Sequence, residues 1–168
     1  MLSATLETVR TMPDGPRYED DFFAWTRHQA TVLRSMAVAD NRFDRENVAE
    51  EIEDLGRSER DAVRSQIRRI IEHFLKLAYS PAQPPRFDWM ASIAEARSAL
   101  GDKISPTLRQ DAETMLARLY RDGRRQAGLA LRGYSENQAA DALPQQCPYS
   151  LEDILREDWY PEPPGEKP

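Results

Sequence analysis

The sequence predicts an all-α fold, an antiparallel helical bundle of about four main helices with short C-terminal helices. Apolar residues recur at three- and four-residue steps through four long segments, which is the period of a helix with one buried face. Prolines and capping residues separate these segments. No segment alternates polar and apolar residues as a strand would. These observations together favour helices packed on helices.

Capping residues and prolines in the sequence predict the bounds of four long helices. The first is predicted over about residues 20–37, beginning with an acidic turn that suits the helix dipole. The second runs from 45 to about 79, with Asp44 as its N-cap and prolines beyond its end. The third covers about 88–101. The fourth extends from the Ser-Pro pair at 105–106 to about residue 131.

Two shorter helices are predicted near the C-terminus, one after Ser135 and one after Ser150. Each serine is followed three residues later by a side chain that can complete a capping box, Gln138 and Asp153. Trp159 lies in an acidic stretch beyond them. It either clamps the C-terminal segment onto the domain or forms an exposed contact for another subunit.

At 168 residues the chain is the size of one domain. We expect a lead-in over 1–17, a single helical domain over 18–161 and a disordered tail over 162–168, because the two ends are rich in proline and turn residues.

The second helix divides into an apolar and a charged face. At 100° per residue the apolar positions fall together: Val48, Ile52, Leu55, Val63, Ile67, Ile70, Phe74 and Leu77. The charged side chains fall opposite, with acids first and arginines later: Glu46, Glu50, Glu53, Arg57, Arg60, Arg64 and Arg68. A helix predicted to be this long needs a bend or a close neighbour, and Gly56 is the position that permits either.

Three polar residues interrupt the apolar face. Glu59, Gln66 and His73 follow one another at seven-residue steps. The candidate partners are Thr26 and Gln29 on the first helix and Asp122 and Gln126 on the fourth. Buried polar groups need hydrogen-bond partners, so the row forms either a polar site between helices or a structural ladder that fixes register. Seven residues of helix span about 10.5 Å, so no two of the three can bind one ion.

The acidic cluster Glu50, Glu51 and Asp54 has two interpretations. Carboxylate oxygens could bind a divalent cation. The same charges at the start of a helix also form an ordinary solvated face that suits the dipole, and this interpretation is favoured.

Composition and motifs exclude several familiar chemistries. The single cysteine, Cys147, allows no internal disulfide and no multi-cysteine metal site, and no base is assigned to it. Neither His28 nor His73 has the glutamate three residues before it that a di-metal bundle needs. There is no phosphate-binding or dinucleotide fingerprint. We therefore expect no metal ligands and no cofactor.

No segment approaches the length of a membrane span, and the first residues lack the pattern of a signal peptide. We therefore expect a cytoplasmic protein that does not contact membranes. Residues 55–132 carry 15 basic and 9 acidic side chains in a chain whose net charge is −6. Dedicated nucleic-acid binders are usually basic overall, so nucleic acid is an unlikely partner.

Several segments resemble a known family. They are the stretch from Tyr18 to Trp25, the motif from Glu46 to Arg60, the residues His73-Phe74-Leu75-Lys76 and the residues Cys147-Pro148-Tyr149. Over about residues 18–161 the chain resembles the bacterial domain-of-unknown-function family 29. The resemblance implies an α-helical protein without an established activity. It also marks the motif positions worth inspecting: Asn47, Glu50, Glu51, Asp54, Glu59 and His73.

The leading hypothesis is a non-enzymatic interaction module that binds a protein partner or a second copy of itself. It rests on the missing catalytic constellation and the uneven charge. The alternative is a metal-assisted enzyme, hydrolase-like, with a polar pocket between helices that includes Glu59 and His73.

Overall fold

The computed structural model describes residues 15–37, 40–101 and 103–163. Four long helices, α1 to α4, are followed by two short ones, and no strand occurs in these ranges. The bounds are α1 Phe22–Ser35, α2 Arg45–Tyr79, α3 Arg86–Gly101, α4 Pro106–Gly133, α5 Asn137–Asp141 and α6 Leu151–Leu155. The predicted all-α fold of four main helices with short C-terminal helices is confirmed.

The chain groups into two compact units, residues 1–56 and 57–168. A single domain over 18–161 stays a prediction. The predicted lead-in and tail lie mostly outside the described residues, so the structure does not bear on them.

In the first unit, α1 packs against the beginning of α2. The side chain of Asp21 caps α1 by accepting from the Ala24 N–H at 2.9 Å, which begins the helix two residues later than predicted. Arg34 pairs with two α2 carboxylates, Glu46 at 2.8 Å and Glu53 at 3.0 Å. Glu53 was predicted on the outer face, but it faces α1 through this pair.

The predicted apolar face is wrong for the first turns of α2. Val48 is 37% exposed and Leu55 is 57% exposed. Ala49 and Gly56 are buried instead, and Thr26 and Phe23 of α1 lie close to Gly56. A β-carbon added to Gly56 would lie 2.1 Å from the Thr26 Oγ1 atom, so the glycine admits a close neighbour, as predicted.

In the second unit, the rest of α2 supplies the centre of the core. The predicted apolar positions are all buried here: Val63, Ile67, Ile70, Phe74 and Leu77. They are joined by buried residues of α3 and α4: Ile93, Ala96, Leu100, Leu108, Ala112, Leu119, Ala127 and Leu131. Arg64 of α2, predicted on the outer face, pairs with Asp111 of α4 through two hydrogen bonds of 2.6 and 2.8 Å.

Three of the four predicted caps are observed, and the first is Asp44, whose side chain accepts from the Asn47 N–H at the start of α2. The Ser105 side chain caps α4, and Ser150 and Asp153 form a reciprocal capping box at α6. Ser135 does not cap α5. It adopts a left-handed conformation, φ 66°, and helps to end α4, while Glu136 takes the N-cap position of α5.

A buried arginine fixes the C-terminal segment. Arg97 of α3 is 5% exposed, and its guanidinium lies 5.3 Å from the centres of the Phe74 and Tyr160 rings. Its N–H groups donate to four backbone carbonyls at 2.9 to 3.1 Å: those of Asp153, Ile154, Glu157 and Trp159. The Trp159 ring packs edge-on against Phe74. Of the two roles predicted for Trp159, the clamp is the one observed.

Candidate functional site

The structure does not gather the predicted polar residues into one site. Glu59 pairs with Lys103 at 3.2 Å, close to the surface. The Oε1 atom of Gln66 and the Nδ1 atom of His73 are both buried, and neither has a hydrogen-bond partner among the described residues. Asp122 is half-buried on α4. Within the described ranges no hydrogen bond or ion pair joins any two of these four residues, so the interhelical ladder is not formed either.

The other predicted partner on α4, Gln126, is exposed, so its inward placement was wrong. The buried positions beside it are Gly123 and Ala127. A β-carbon at Gly123 would lie 3.0 Å from the Ile71 Cγ2 atom. Close approach of α4 to α2 uses the glycine and the alanine, which leaves Gln126 facing solvent.

Burial of His73 has a consequence for stability at low pH. Burial is the main cause that lowers the pKa of His73 from 6.5 to about 4, and Lys76 adds to it. Between these two values the unfolded chain binds a proton that the folded chain does not, so the free energy of unfolding falls as pH decreases from 6.5 towards 4.

Replacing His73 with leucine is expected to remove this contribution. The difference in free energy of unfolding between the variant and the wild type should grow by about 2 kcal/mol between pH 7 and pH 4.5, after allowance for partial exposure. Urea denaturation across this pH range measures it. A difference that stays constant with pH would show that His73 is protonated equally in both states.

The acidic motif lies on the exposed side of α2. Asn47 donates to the Asp44 carboxylate at 2.5 Å, where it supports the N-cap. Glu50 and Glu51 are exposed, and Asp54 is half-buried. In the described part of the chain, no group of three or more His, Cys, Asp or Glu side chains could hold a metal ion. The arrangement therefore agrees with a solvated helix start.

Cys147 is half-buried, and its Sγ atom lies 3.2 Å from the Tyr149 carbonyl oxygen. Burial raises the pKa of the thiol. Because the thiolate is the reactive form, this environment opposes a nucleophilic role.

A cavity of about 540 Å³ in the second unit was not predicted. It lies among the end of α2, the turn that follows it, the start of α3 and the end of α4. Its lining includes both charged and aromatic side chains: Lys76, Ala82, Pro84, Pro85, Asp88, Trp89, Ala130, Leu131, Tyr134 and Glu136. A volume of this size is typical of sites for small ligands or single anchoring side chains.

The proline turn that forms one wall is held by hydrogen bonds at both ends. The Ser80 Oγ atom accepts from the Ala82 N–H at 3.1 Å. Arg86 donates to the Leu77 carbonyl, one of the last carbonyls of α2, at 2.9 Å. Pro84 and Pro85 restrict the backbone between these anchors. The wall is therefore preformed.

The polar side chains of the cavity include donors on Lys76, Trp89 and Tyr134 and two carboxylate acceptors. Asp88 and Glu136 contribute carboxylates, and the two prolines have no N–H. Lys76 is buried, and its ammonium pairs with Glu72 one turn earlier on α2. The Oε2 atom of Glu136 is buried and has no hydrogen-bond partner among the described residues. Such an unsatisfied acceptor costs about 1–3 kcal/mol unless a donor reaches it.

Two aromatic side chains near the cavity are largely exposed. Tyr134 forms part of the lining and is 78% exposed. Phe87, between Arg86 and Asp88 in the first turn of α3, is also 78% exposed. Large aromatic rings in contact with water are typical of surfaces that bind a partner.

The comparisons with known proteins identify the family. The model of the family described as Domain of unknown function DUF29 matches residues 17–160. The chain belongs to this family. Its DUF29 domain is also similar to an alpha-helical protein of unknown function from Rhodospirillum rubrum, with 30% sequence identity and a TM-score of 0.75. That match covers 86% of this chain and 92% of the other.

No curated protein matches the DUF29 chain. No helix in the described ranges is both long and apolar enough to cross a membrane. The family assignment agrees with the resemblance noted in the sequence, and it carries no activity.

Proposed function

We propose that this DUF29 domain is a non-enzymatic interaction module whose partner protein docks at the cavity between α2, α3 and α4. The observation that carries the proposal is the combination of a preformed 540 Å³ cavity with exposed aromatic rings at and beside it. An anchoring side chain in a pocket, surrounded by aromatic contacts, is the usual centre of a protein interface.

The position of Tyr134 favours a protein partner over a small ligand. A small molecule within the cavity would bury the lining but would leave most of the Tyr134 and Phe87 rings in water. A polypeptide that inserts one side chain and lies across the first turn of α3 would cover both rings. It would also cover Met90, which follows Phe87 by three residues on α3 and is 38% exposed.

Site-specific photocrosslinking tests the docking site. A benzoylphenylalanine placed at Tyr134 is expected to form a defined adduct with one host protein. The same group placed at Leu129, which is 61% exposed and does not line the cavity, should not form it. Equal adducts from both positions, or none from Tyr134, would contradict the proposal.

The partner identified in this way provides a quantitative test. Replacing Tyr134 with alanine should weaken the affinity of the purified partner at least tenfold, in the range of an interface hot spot of about 2 kcal/mol. The matched variant Leu129→Ala should bind like the wild type. Calorimetric titration measures both. Similar affinities for the two variants would place the interface elsewhere.

A further inference from the structure

We infer that the cavity recognises a cationic side chain, an arginine or a lysine, presented by the partner protein. The inference rests on the proposed function and names the chemistry of the group that the cavity takes. It depends on three observations: the charge of the lining, the unsatisfied acceptor of Glu136 and the nearby aromatic rings.

The charge of the lining is negative. Among the described lining residues, Asp88 and Glu136 are the two acids and Lys76 is the only basic side chain. The charge of Lys76 is balanced by its ion pair with Glu72. Two carboxylates therefore remain, and they attract a cation and repel an anion.

The two carboxylates have the same preference. Arginine and lysine side chains carry only hydrogen-bond donors, and the ionised carboxylates of Asp88 and Glu136 carry only acceptors. The Glu136 Oε2 atom is buried without a partner in the described structure. The last torsion of a glutamate side chain is soft, so rotation can turn either carboxylate oxygen of Glu136 towards a donor. A donor on the ligand would then pair with this carboxylate.

The aromatic and aliphatic walls suit the rest of such a side chain. Trp89 and Tyr134 line the cavity, and aromatic rings attract a guanidinium or ammonium group. Leu131 and Pro85 provide apolar surface for the methylene stem. A glutamate or an apolar side chain would use only part of this lining.

Blocked pentapeptides test the inference on the full chain. The probes are acetyl-Gly-Ala-Xaa-Ala-Gly-amide with arginine, lysine, norleucine or glutamate at the centre. Binding is followed by amide and indole shifts in ¹⁵N-labelled protein. The arginine and lysine peptides should bind at least tenfold more tightly than the norleucine peptide, because only they donate hydrogen bonds to a charged carboxylate. The glutamate peptide should bind weakest.

A near-isosteric variant isolates the role of Glu136. Glu136→Gln should reduce the affinity for the arginine peptide about tenfold and leave that for the norleucine peptide unchanged. Asp141→Asn, at an exposed acid that does not line the cavity, is the control and should change neither. Amide spectra of the free variants verify that both remain folded.

The outcomes separate this inference from the proposed function. Equal binding of the norleucine and arginine peptides, or tighter binding of the glutamate peptide, overturns the cationic anchor. Crosslinking through Tyr134 can still support docking in that case. Loss of specific crosslinking at Tyr134 instead removes the docking site itself, whatever the peptides show.

Discussion

Replacing Arg97 with methionine is expected to lower the free energy of unfolding by about 3 kcal/mol, because the variant breaks a buried polar network. Methionine keeps an unbranched stem but removes every donor. Four backbone carbonyls at the C-terminal end then lose their shared partner. The Phe74 and Tyr160 rings also lose the cation that lies over them.

Urea denaturation monitored by circular dichroism measures this effect. Arg109→Met provides a matched control, because Arg109 is exposed and its contact with Glu113 is a 3.7 Å surface pair. The control should change stability by less than about 0.5 kcal/mol. Lysine at position 97 should recover only part of the loss, since its single ammonium cannot reproduce the planar fork. Equal stabilities for the Arg97 and Arg109 variants would show that the hydrogen bonds of Arg97 to the C-terminal segment do not stabilise the fold.

Replacing Gly56 with alanine is expected to destabilise the protein by about 2 kcal/mol, although alanine is the better helix former. The added β-carbon would lie 2.1 Å from Thr26 Oγ1, so α1 and α2 would have to separate locally. Gly133→Ala is the matched control. Nothing lies within 4 Å of a β-carbon placed at Gly133, and this variant should be neutral or slightly more stable.

The double variant Gly56→Ala/Thr26→Ala tests the mechanism. Removal of the threonine hydroxyl and methyl groups leaves Thr26 Cβ at 3.2 Å and Phe23 Cδ2 at 3.4 Å as the nearest atoms, which small shifts accommodate. Most of the stability should return, after correction for Thr26→Ala alone. A double variant no more stable than Gly56→Ala would locate the strain elsewhere.

Local signals in the sequence predicted the helices well. The bounds of α2 agree with the prediction at both ends, since Asp44 and the prolines after Ser80 act within a few residues. The cap of α4 at Ser105 and the capping box of α6 are similarly local. Such features depend on neighbouring backbone atoms, so periodicity and capping rules suffice to find them.

Features set by tertiary packing were missed or misplaced. The first turns of α2 turn Ala49 and Gly56 towards α1, so the more apolar Val48 and Leu55 remain exposed. No rule based on local sequence predicts that small residues, rather than larger apolar ones, are buried at these positions. Arg97 occupies a buried position of α3 because four distant carbonyls satisfy it, and their arrangement is not visible in the sequence.

The candidate site was missed for the same reason. Its lining comes from residues 76 to 136, and each residue by itself has an ordinary explanation. The proline turn ends a helix, and Tyr134 follows one. Glu59, Gln66 and His73 stand out in the sequence because they are polar residues on an otherwise apolar helix face. The residues that line the cavity break no such periodicity, and only the aromatic residues Phe87 and Tyr134, which are exposed, could have indicated it.

Chemical-shift mapping on the ¹⁵N-labelled full chain tests whether the cavity between α2, α3 and α4 binds a cationic side chain. On titration with the arginine pentapeptide, we expect saturable shifts at the Trp89 indole N–H and at the backbone amides of residues 86–89 and 130–136. Amides at the N-terminal end of α4, residues 107–118, should not move. Shifts confined to other regions, or none at peptide concentrations of several millimolar, would contradict a binding site in the cavity.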